Sequence, residues 1–414
     1  MKQEVTSVKK CRLCKSPQLV KFLDLNKMPI PNGFLKPSDL NKKEPEYELA
    51  CFYCRNCSLV QLTKIVNPKT MFAHYVYMPS ASKTMLNNFA NLAYTAKKDL
   101  RLNSKSMVID LGSNDGSLLK FFKDHNINVL GIDPAKNIAQ LAAKEGIPTK
   151  VGLFNPRLAH LVVKKYGQAD LITATNVIAH IDNLDEVFEG IKILLKKDGY
   201  FITEFPYLLD LISKNQFDTI YHEHLSYFNL KSWNRFIESH GFKIKTITRR
   251  PVHGGSIRIT HSRKNSGSPK SGSVAFLTGL ESENKLDEEQ TYFDFSQSVL
   301  RLKKDLKNLL TKLKKQKKRI VGLGAPAKGN VLTCFFDIGP ETLDYIVDST
   351  PLKHGLFTPK KHIPIYPESK LLEDQPDYAL ILAWNFKEEI IRKHKPFQKK
   401  GGKFIIPIPD IKIV

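Results

Sequence analysis

Apolar positions fall into two kinds of run along this chain. Short stretches rich in Val, Ile and Leu, bounded by Gly, Pro, Asn or Asp, read as strands, and stretches with apolar residues every three or four positions read as helices. In the middle of the chain, "SMVIDLGSNDGSLLKFF" (106–122) is a strand, a glycine-bearing turn and a helix, and "INVLGIDPA" (127–135) is a second strand ending in an acid. "ADLITATNVIAHI" (169–181) is another strand, and "KILLKKDGYFITEF" (192–205) a helix followed by a strand. The pattern recurs near the end: "RIVGLGAPAKGN" (319–330) is strand, glycine turn and helix, and "LDYIVDST", "YALILAWN" and "KFIIPIP" are further strands. Such alternation predicts parallel sheets covered by helices, with ligands beyond the carboxyl ends of the strands. Between the two units, "SGSPKSGS" (266–273) reads as a surface loop and "RLKKDLKNLLTKLKKQKKR" (301–319) as an amphipathic helix, since Leu302, Leu306, Leu309, Leu310 and Leu313 recur at helical spacing.

The expected division is a cysteine-bearing block at 1–75, an α/β domain at 76–265, a loop and linking helix at 266–319, and a second α/β domain at 320–414. A chain of 414 residues exceeds the roughly 250–300 residues that one core sustains. No apolar run reaches the roughly 18 residues needed to span a bilayer, and the N-terminal residues lack the apolar stretch of a secretory signal. A cytoplasmic monomer with no membrane partner is the expectation. The net charge of +23 invites a nucleic-acid reading. The lysines are scattered, however, and no aromatic residues interleave with them, so a solvated lysine face is expected and nucleic-acid binding is kept as the alternative.

Five of the six cysteines fall in the first 57 residues. In a cytosolic chain such clustering favours metal over disulfides. "CRLC" and "CRNC" are two C-x-x-C turns that can bring Cys11, Cys14, Cys54 and Cys57 to the corners of a tetrahedron, which suits structural zinc. Cys51–Cys54 has the same spacing, but its turn would hold Phe52 and Tyr53, which are better buried; Arg55 and Asn56 suit an exposed knuckle. "LVQL" after Cys57 reads as the returning strand.

In "D-L-G-S-N-D-G" an acid precedes the first glycine, unlike the G-x-G-x-x-G of dinucleotide-binding turns. Gly112 and Gly116 let the backbone approach a ligand closely. Asp133, at the end of the next strand, suits the hydroxyls of a ribose. Acid, glycine turn and second acid suit S-adenosylmethionine (SAM), whose positive end Asp110 or Asp115 could support. The candidate cofactor residues are Asp110, Gly112, Asn114, Gly116, Asp133, Pro134, Asn155 and Asn176, joined by Tyr75 and Ser80 from "YVYMPSAS" (75–82), a segment placed to fold over the ligand. "G-L-G-A-P-A" from Gly322, with Asp348 downstream, fits a dinucleotide fingerprint, but a second cofactor has no task in methyl transfer.

"FDTIYHEHLSYF" (217–228) gathers two histidines, a glutamate and an aspartate among aromatics. With "DLGSNDGSLL", "GIDPAKNIAQLAAKEGIPT", "ATNVIAHIDNL", "EFPYLLDLI" and "VHGGSIR", it resembles the SAM-dependent sugar C-methyltransferases of deoxysugar biosynthesis. "CRLC", "LDLNKMPIPNGFL" and "CRNCSLVQL" are similar to that family's zinc-binding N-terminal domain, and "GLGAPAKGN", "DSTPLKHG" and "HIPIYP" to its C-terminal domain. The resemblance implies an α/β fold: a class I Rossmann-like SAM methyltransferase core, a small N-terminal zinc-binding domain and a C-terminal Rossmann-like domain. It implies C-methylation of a nucleotide-linked keto-deoxysugar, at C3 next to a C4 ketone. A C–H beside a ketone must ionise to an enolate before carbon can attack a methyl group, which calls for a base near the carbon and donors near the oxygen. His224 is assigned as base, Tyr221 as donor or proton shuttle, and Glu223 as the residue that holds substrate or tunes His224. Asn176 and His180 are expected near the ketone, and His222 is expected to pack. Lys328 is a weaker candidate for the substrate diphosphate, and Arg258 is left as structural or facing the site. Thr175, Tyr207, Met78 and Pro79 depart from the family pattern, which bears on the sugar accepted. The rival readings are a zinc-bearing nucleic-acid methyltransferase and an inactive methyltransferase-like scaffold.

Overall fold

The structure is a computed structural model and describes residues 4–71, 78–267 and 271–414. The first block carries β1 (Val5–Ser7), β2 (Leu19–Met28), β3 (Tyr47–Cys54), β4 (Val60–Leu62) and β5 (Lys64–Val66). β1 pairs with β5, while β2, β3 and β4 form an antiparallel sheet in which β4 is the strand returning from Cys57.

The middle block supplies β6 (Met107–Leu111), β7 (Asn128–Asp133), β8 (Thr149–Val151), β9 (Ala169–Thr175) and β10 (Leu195–Pro206). These five strands are mutually parallel, and their apolar runs are buried by helices on the sheet. The chain then makes β11 (Ser226–Tyr227), which leaves this block and pairs antiparallel with β4 at the edge of the first sheet. β12 (Phe242–Arg250) and β13 (Ser256–Arg263) return to close the larger sheet in the order β12-β13-β10-β9-β6-β7-β8, with β13 antiparallel to β10. Strand order reverses between β6 and β9, which opens a crevice at their carboxyl ends. The last block repeats the scheme with β14 (Ile320–Leu323), β15 (Ile346–Asp348), β16 (Ile365–Pro367), β17 (Tyr378–Ile381), β18 (Lys403–Ile406) and β19 (Lys412–Ile413), in the order β16-β15-β14-β17-β18-β19. The fold is the α/β arrangement that the resemblance implies: a Rossmann-like core between a small cysteine-bearing block and a second Rossmann-like sheet.

The connector differs from the single linking helix expected at 301–319. Two helices, Gly272–Glu283 and Glu289–Lys315, are separated by residues 284–288: Asn284 caps the first, and Lys285 turns the chain with φ +55°. The second helix buries Tyr292, Phe295, Val299, Leu302, Leu306, Leu310 and Leu313 along one face. That face shares one apolar core with Phe22, Leu23 and Tyr53 of the first sheet and with Ile320, Val321 and Phe335 of the last block. The lysines of "KKDLKNLLTKLKK" occupy the helix's other face, as an amphipathic helix requires. Among the described residues, no helix is long and apolar enough to cross a membrane.

Because one helix closes the cores of both terminal blocks, Leu306→Ala is expected to cost about 2–5 kcal/mol. Denaturant unfolding monitored by fluorescence and by metal release should show both terminal blocks weakened together; loss confined to one block would contradict the shared core.

Candidate active site and metal centre

Cys11 and Cys14 stand on a knuckle turn after β1; Cys54 closes β3 and Cys57 follows in a second turn. Backbone bonds shape both turns: Cys11 N–H donates to the Ser16 carbonyl at 2.8 Å, and Cys54 N–H to the Leu59 carbonyl at 2.9 Å. Cys11 Sγ lies 3.5 Å from Cys57 Sγ, Cys14 Sγ lies 3.5 Å from Cys54 Sγ, and all four sulfurs fall within 4.8 Å of one another. Zn–S bonds of about 2.3 Å in a tetrahedron separate the sulfurs by about 3.8 Å, so the donor set fits zinc with only small adjustment. Hydrogen bonds from Cys11 and Cys57 hold the Cys54 thiol down, while the Cys11 thiol is pushed up, chiefly by its bond with Cys54. Cys51 is elsewhere: it packs with Leu23 and Leu62 in the apolar core, and burial pushes its thiol up. Four thiolates leave no open coordination position, so the zinc is structural.

The turn after β6 sits in the crevice between β6 and β9. Gly112 has φ +68°, and a Cβ there would come within 2.7 Å of Val177 Cγ2, so only glycine fits. Gly116 (φ +78°) precedes the Ser117–Asp124 helix, and Asn114 takes φ +49°. Asp133 ties this turn to the next one: its Oδ2 accepts from Asn114 N–H at 2.9 Å and its Oδ1 from Ala135 N–H at 2.8 Å. Each oxygen retains a further lone pair for a ligand hydroxyl. Burial raises the Asp133 carboxyl against the pull of those two amides. Pro134 is exposed beside it.

The two acids left open as partners for the positive end of SAM are placed differently. Asp110 is 2% exposed and lies under the turn, where its Oδ1 accepts from Thr173 Oγ1 at 2.6 Å; burial pushes it up to about 7. Asp115 holds Ser117 through Oδ1 and accepts from Ser80 N–H at 3.2 Å through Oδ2. Ser80 is thus at the turn, whereas Tyr75 lies outside the described residues. Asn155 caps the Pro156–Tyr166 helix, its side chain accepting from Leu158 N–H at 2.9 Å. Asn176 follows β9 with φ +56°, and its buried Oδ1 has no hydrogen-bond partner.

The "YHEH" segment crosses the same end of the sheet. His224 Nδ1 lies 2.8 Å from the Thr219 carbonyl, which can only accept, so Nδ1 carries the proton and Nε2 the lone pair. The His180 ring stacks on His224 at 5.1 Å between centroids, and the Tyr221 ring lies at 4.1 Å. Burial, then the neighbouring His180, pushes His224 well below its ordinary pKa; burial pushes His180 down to about 4. Both rings are therefore neutral near pH 7. Glu223 Oε1 accepts from Asn32 Nδ2 of the first block at 2.7 Å. His222 faces away, packed edge-on against Tyr47 and donating from Nε2 to its carbonyl at 3.2 Å.

Around this centre stand Lys328, which the sequence offered only as a weaker candidate, and contacts of Asp218 and Asn330 that it did not single out. Asp218 Oδ2 accepts from Trp384 Nε1 at 2.6 Å, which joins the "YHEH" loop to the last block. Lys328 Nζ donates to the His253 carbonyl at 2.8 Å, and burial brings it down to about 8 despite the charge of Asp218. Asn330 Nδ2 donates to the Pro31 carbonyl at 2.6 Å. These contacts join segments far apart in the chain, so no local spacing could announce them. Arg258 does not face the crevice; it pairs with buried Glu204 at 2.8 Å and donates to Asn88. In the last block, Asp348 accepts from Ala325 N–H at 2.6 Å, with Lys353 Nζ 3.5 Å away.

Cys54→Ser is expected to lose the zinc and destabilise the first block, and Cys51→Ser to keep it. Metal content by mass spectrometry of the purified variants checks this; equal loss in both would contradict the four-cysteine site.

Three family profiles match in sequence order: a zinc binding domain at 11–72, a methyltransferase domain at 83–247 and a C-methyltransferase C-terminal domain at 251–409. The C-methyltransferase NovU of Streptomyces niveus is 32% identical over 414 residues, covering 100% of this chain and 99% of that one. Among solved structures, YcgJ of Bacillus subtilis is similar at 13% identity and TM-score 0.35, covering 44% of this chain and 100% of its own. The magnesium protoporphyrin IX methyltransferase ChlM of Synechocystis with bound SAM is similar at 14% identity and TM-score 0.34, covering 46% of this chain and 85% of its own. With the end-to-end likeness to NovU, a zinc-fitting cysteine set and a methyltransferase sheet in one chain, this protein belongs to the SAM-dependent C-methyltransferases.

Proposed function

We propose that the chain methylates a ring carbon, C3, beside the C4 ketone of a nucleoside-diphosphate-linked deoxysugar, through an enolate. The observation that carries this reading is the fixed tautomer of His224: Nδ1–H is held by the Thr219 carbonyl, so a neutral Nε2 presents its lone pair beside His180 and Tyr221. O- and N-methylation need no base for a C–H bond; carbon does.

His224 Nε2 takes the proton from the carbon next to the ketone, and the C–H electron pair becomes the enolate. Tyr221 and His180 donate to the developing oxyanion, in a site dry enough to make those bonds strong. The burial that keeps His224 neutral also disfavours its imidazolium, so the proton is accepted only as the enolate's negative charge appears beside it. Asn176, whose buried Oδ1 is unpaired, is placed to position substrate or SAM. Glu223, whose Oε1 accepts from Asn32, would hold a sugar hydroxyl. Gly112, Asn114, Gly116 and Asp133 would hold SAM, which would supply the electrophilic methyl group: the enolate carbon forms the new C–C bond as the S–CH3 bond breaks and the neutral thioether leaves.

Asp133→Ala is expected to weaken SAM binding more than about tenfold, because hydrogen bonds to a charged acceptor contribute about 1.5–3 kcal/mol each. Calorimetry showing unchanged affinity in a folded variant would contradict the placement.

His224→Ala should lower methyl transfer by about 10²–10⁴-fold while SAM affinity holds. In heavy water the wild-type protein should exchange the α-hydrogen of a dTDP-linked 4-keto-deoxysugar for deuterium, and Tyr221→Phe should slow that exchange. His222→Ala should do less than either. Full exchange in the His224 variant would move the base elsewhere, with His180 the first candidate.

A further inference from the structure

Zinc binding does not explain Arg12, which lies inside the first cysteine knuckle. Its counterpart in the second knuckle, Arg55, is 57% exposed and pairs with Glu289 at the surface. The Arg12 side chain is 1% exposed and runs inward. Nη1 donates to the Leu225 carbonyl at 2.8 Å and to Ser226 Oγ at 3.4 Å, Nη2 to the Leu62 carbonyl at 3.2 Å, and Nε to Asp182 Oδ1 at 3.0 Å. Burying a guanidinium is costly unless its donors are used, and here they are spent on particular acceptors. Leu225 follows His224 directly, and Asp182 lies two residues after His180.

Leu225 is where these bonds converge. Its carbonyl accepts from Leu62 N–H at 3.0 Å as well as from Arg12, and its N–H donates to the carbonyl of Ala179, the residue before His180, at 2.7 Å. One guanidinium therefore grips the segments that carry both histidines, together with the sheet edge they rest on. Arg12 is itself fixed: its N–H donates to Gln61 Oε1 at 2.7 Å, and Gln61 Nε2 returns a bond to the Lys10 carbonyl at 3.3 Å.

We propose that Arg12 is a positioning residue for the His180–His224 pair, setting the stacking of the two rings from inside the metal knuckle without touching substrate or SAM. The inference rests on the reading of that pair as the reacting centre, but its main test needs no sugar. Full-length protein with ¹⁵N-labelled histidine is compared as wild type, Arg12→Met, Arg12→Lys and Asp182→Ala. Wild type should show His224 as a single Nδ1–H tautomer. Arg12→Met should keep its zinc and SAM affinity yet show mixed tautomers at His224 and a shifted His180, and Arg12→Lys should recover part of the wild-type spectrum. Asp182→Ala removes a half-exposed partner and should move His180 alone. With a dTDP-linked 4-keto-deoxysugar as probe, Arg12→Met should lose about 10–100-fold in kcat with little change in KM. A zinc- and SAM-bound Arg12→Met whose histidine signals match wild type would overturn the proposal. If that variant does not fold, unmoved His180 and His224 signals in both Arg12→Lys and Asp182→Ala would overturn it instead. Moved histidine signals in a protein whose wild type never methylates the sugar would count against the proposed substrate and leave the role of Arg12 standing.

Discussion

Two residues after His224, the backbone becomes an edge strand of the cysteine-bearing sheet. The Ser226–Tyr227 pairing with Val60–Gln61 is short, yet the histidine centre depends on it. A loop that had to hold three polar rings by its own packing would pay conformational entropy at every residue. Here the loop is pinned at one end by a β ladder and through Asp218 by Trp384 of the last block. The cysteine-bearing sheet, which looks like a small separate domain, thus also anchors the loop that carries His224.

Desolvation sets the character of that centre. His180 and His253 are brought down by burial, to about 4 and about 3, and His224 well below its ordinary value. Lys328, the cation among them, is itself brought down to about 8. A site assembled from neutral bases suits a reaction in which charge appears transiently on the substrate, because fixed neutral donors need no reorganisation when it does. Around the crevice, Asn114, Asn176 and His253 take positive φ.

Much of this was legible in the sequence, for a definite reason. Strand runs such as "VIDL" and the glycine turn at Gly112 are local, and local periodicity reports them. The choice of Cys54–Cys57 over Cys51–Cys54 followed from the bulk of Phe52 and Tyr53, and the structure does bury Cys51 in the core. The neutral state of the histidines was not legible, because it depends on what packs over them. Nor were the contacts of Arg12 with Asp182 and Leu225, of Asn32 with Glu223, or of Asp218 with Trp384, since each joins segments more than 150 residues apart. The break in the connector was missed although Asn284, a residue suited to a helix C-terminus, caps the first helix there.

The helix that closes both terminal blocks has a consequence for how the chain is made. Phe22, Leu23 and Tyr53 leave the ribosome early, but the face of Glu289–Lys315 that covers them emerges more than 230 residues later. At about 5–20 residues per second, that leaves roughly 10–50 s in which the first sheet has no lid on its apolar side. Long-range closure of this kind slows folding and exposes unfinished surface to aggregation. A cluster of four thiolates that captures a metal ion from local sequence alone would give the nascent segment a fixed shape during that interval, before any of its distant partners has been synthesised.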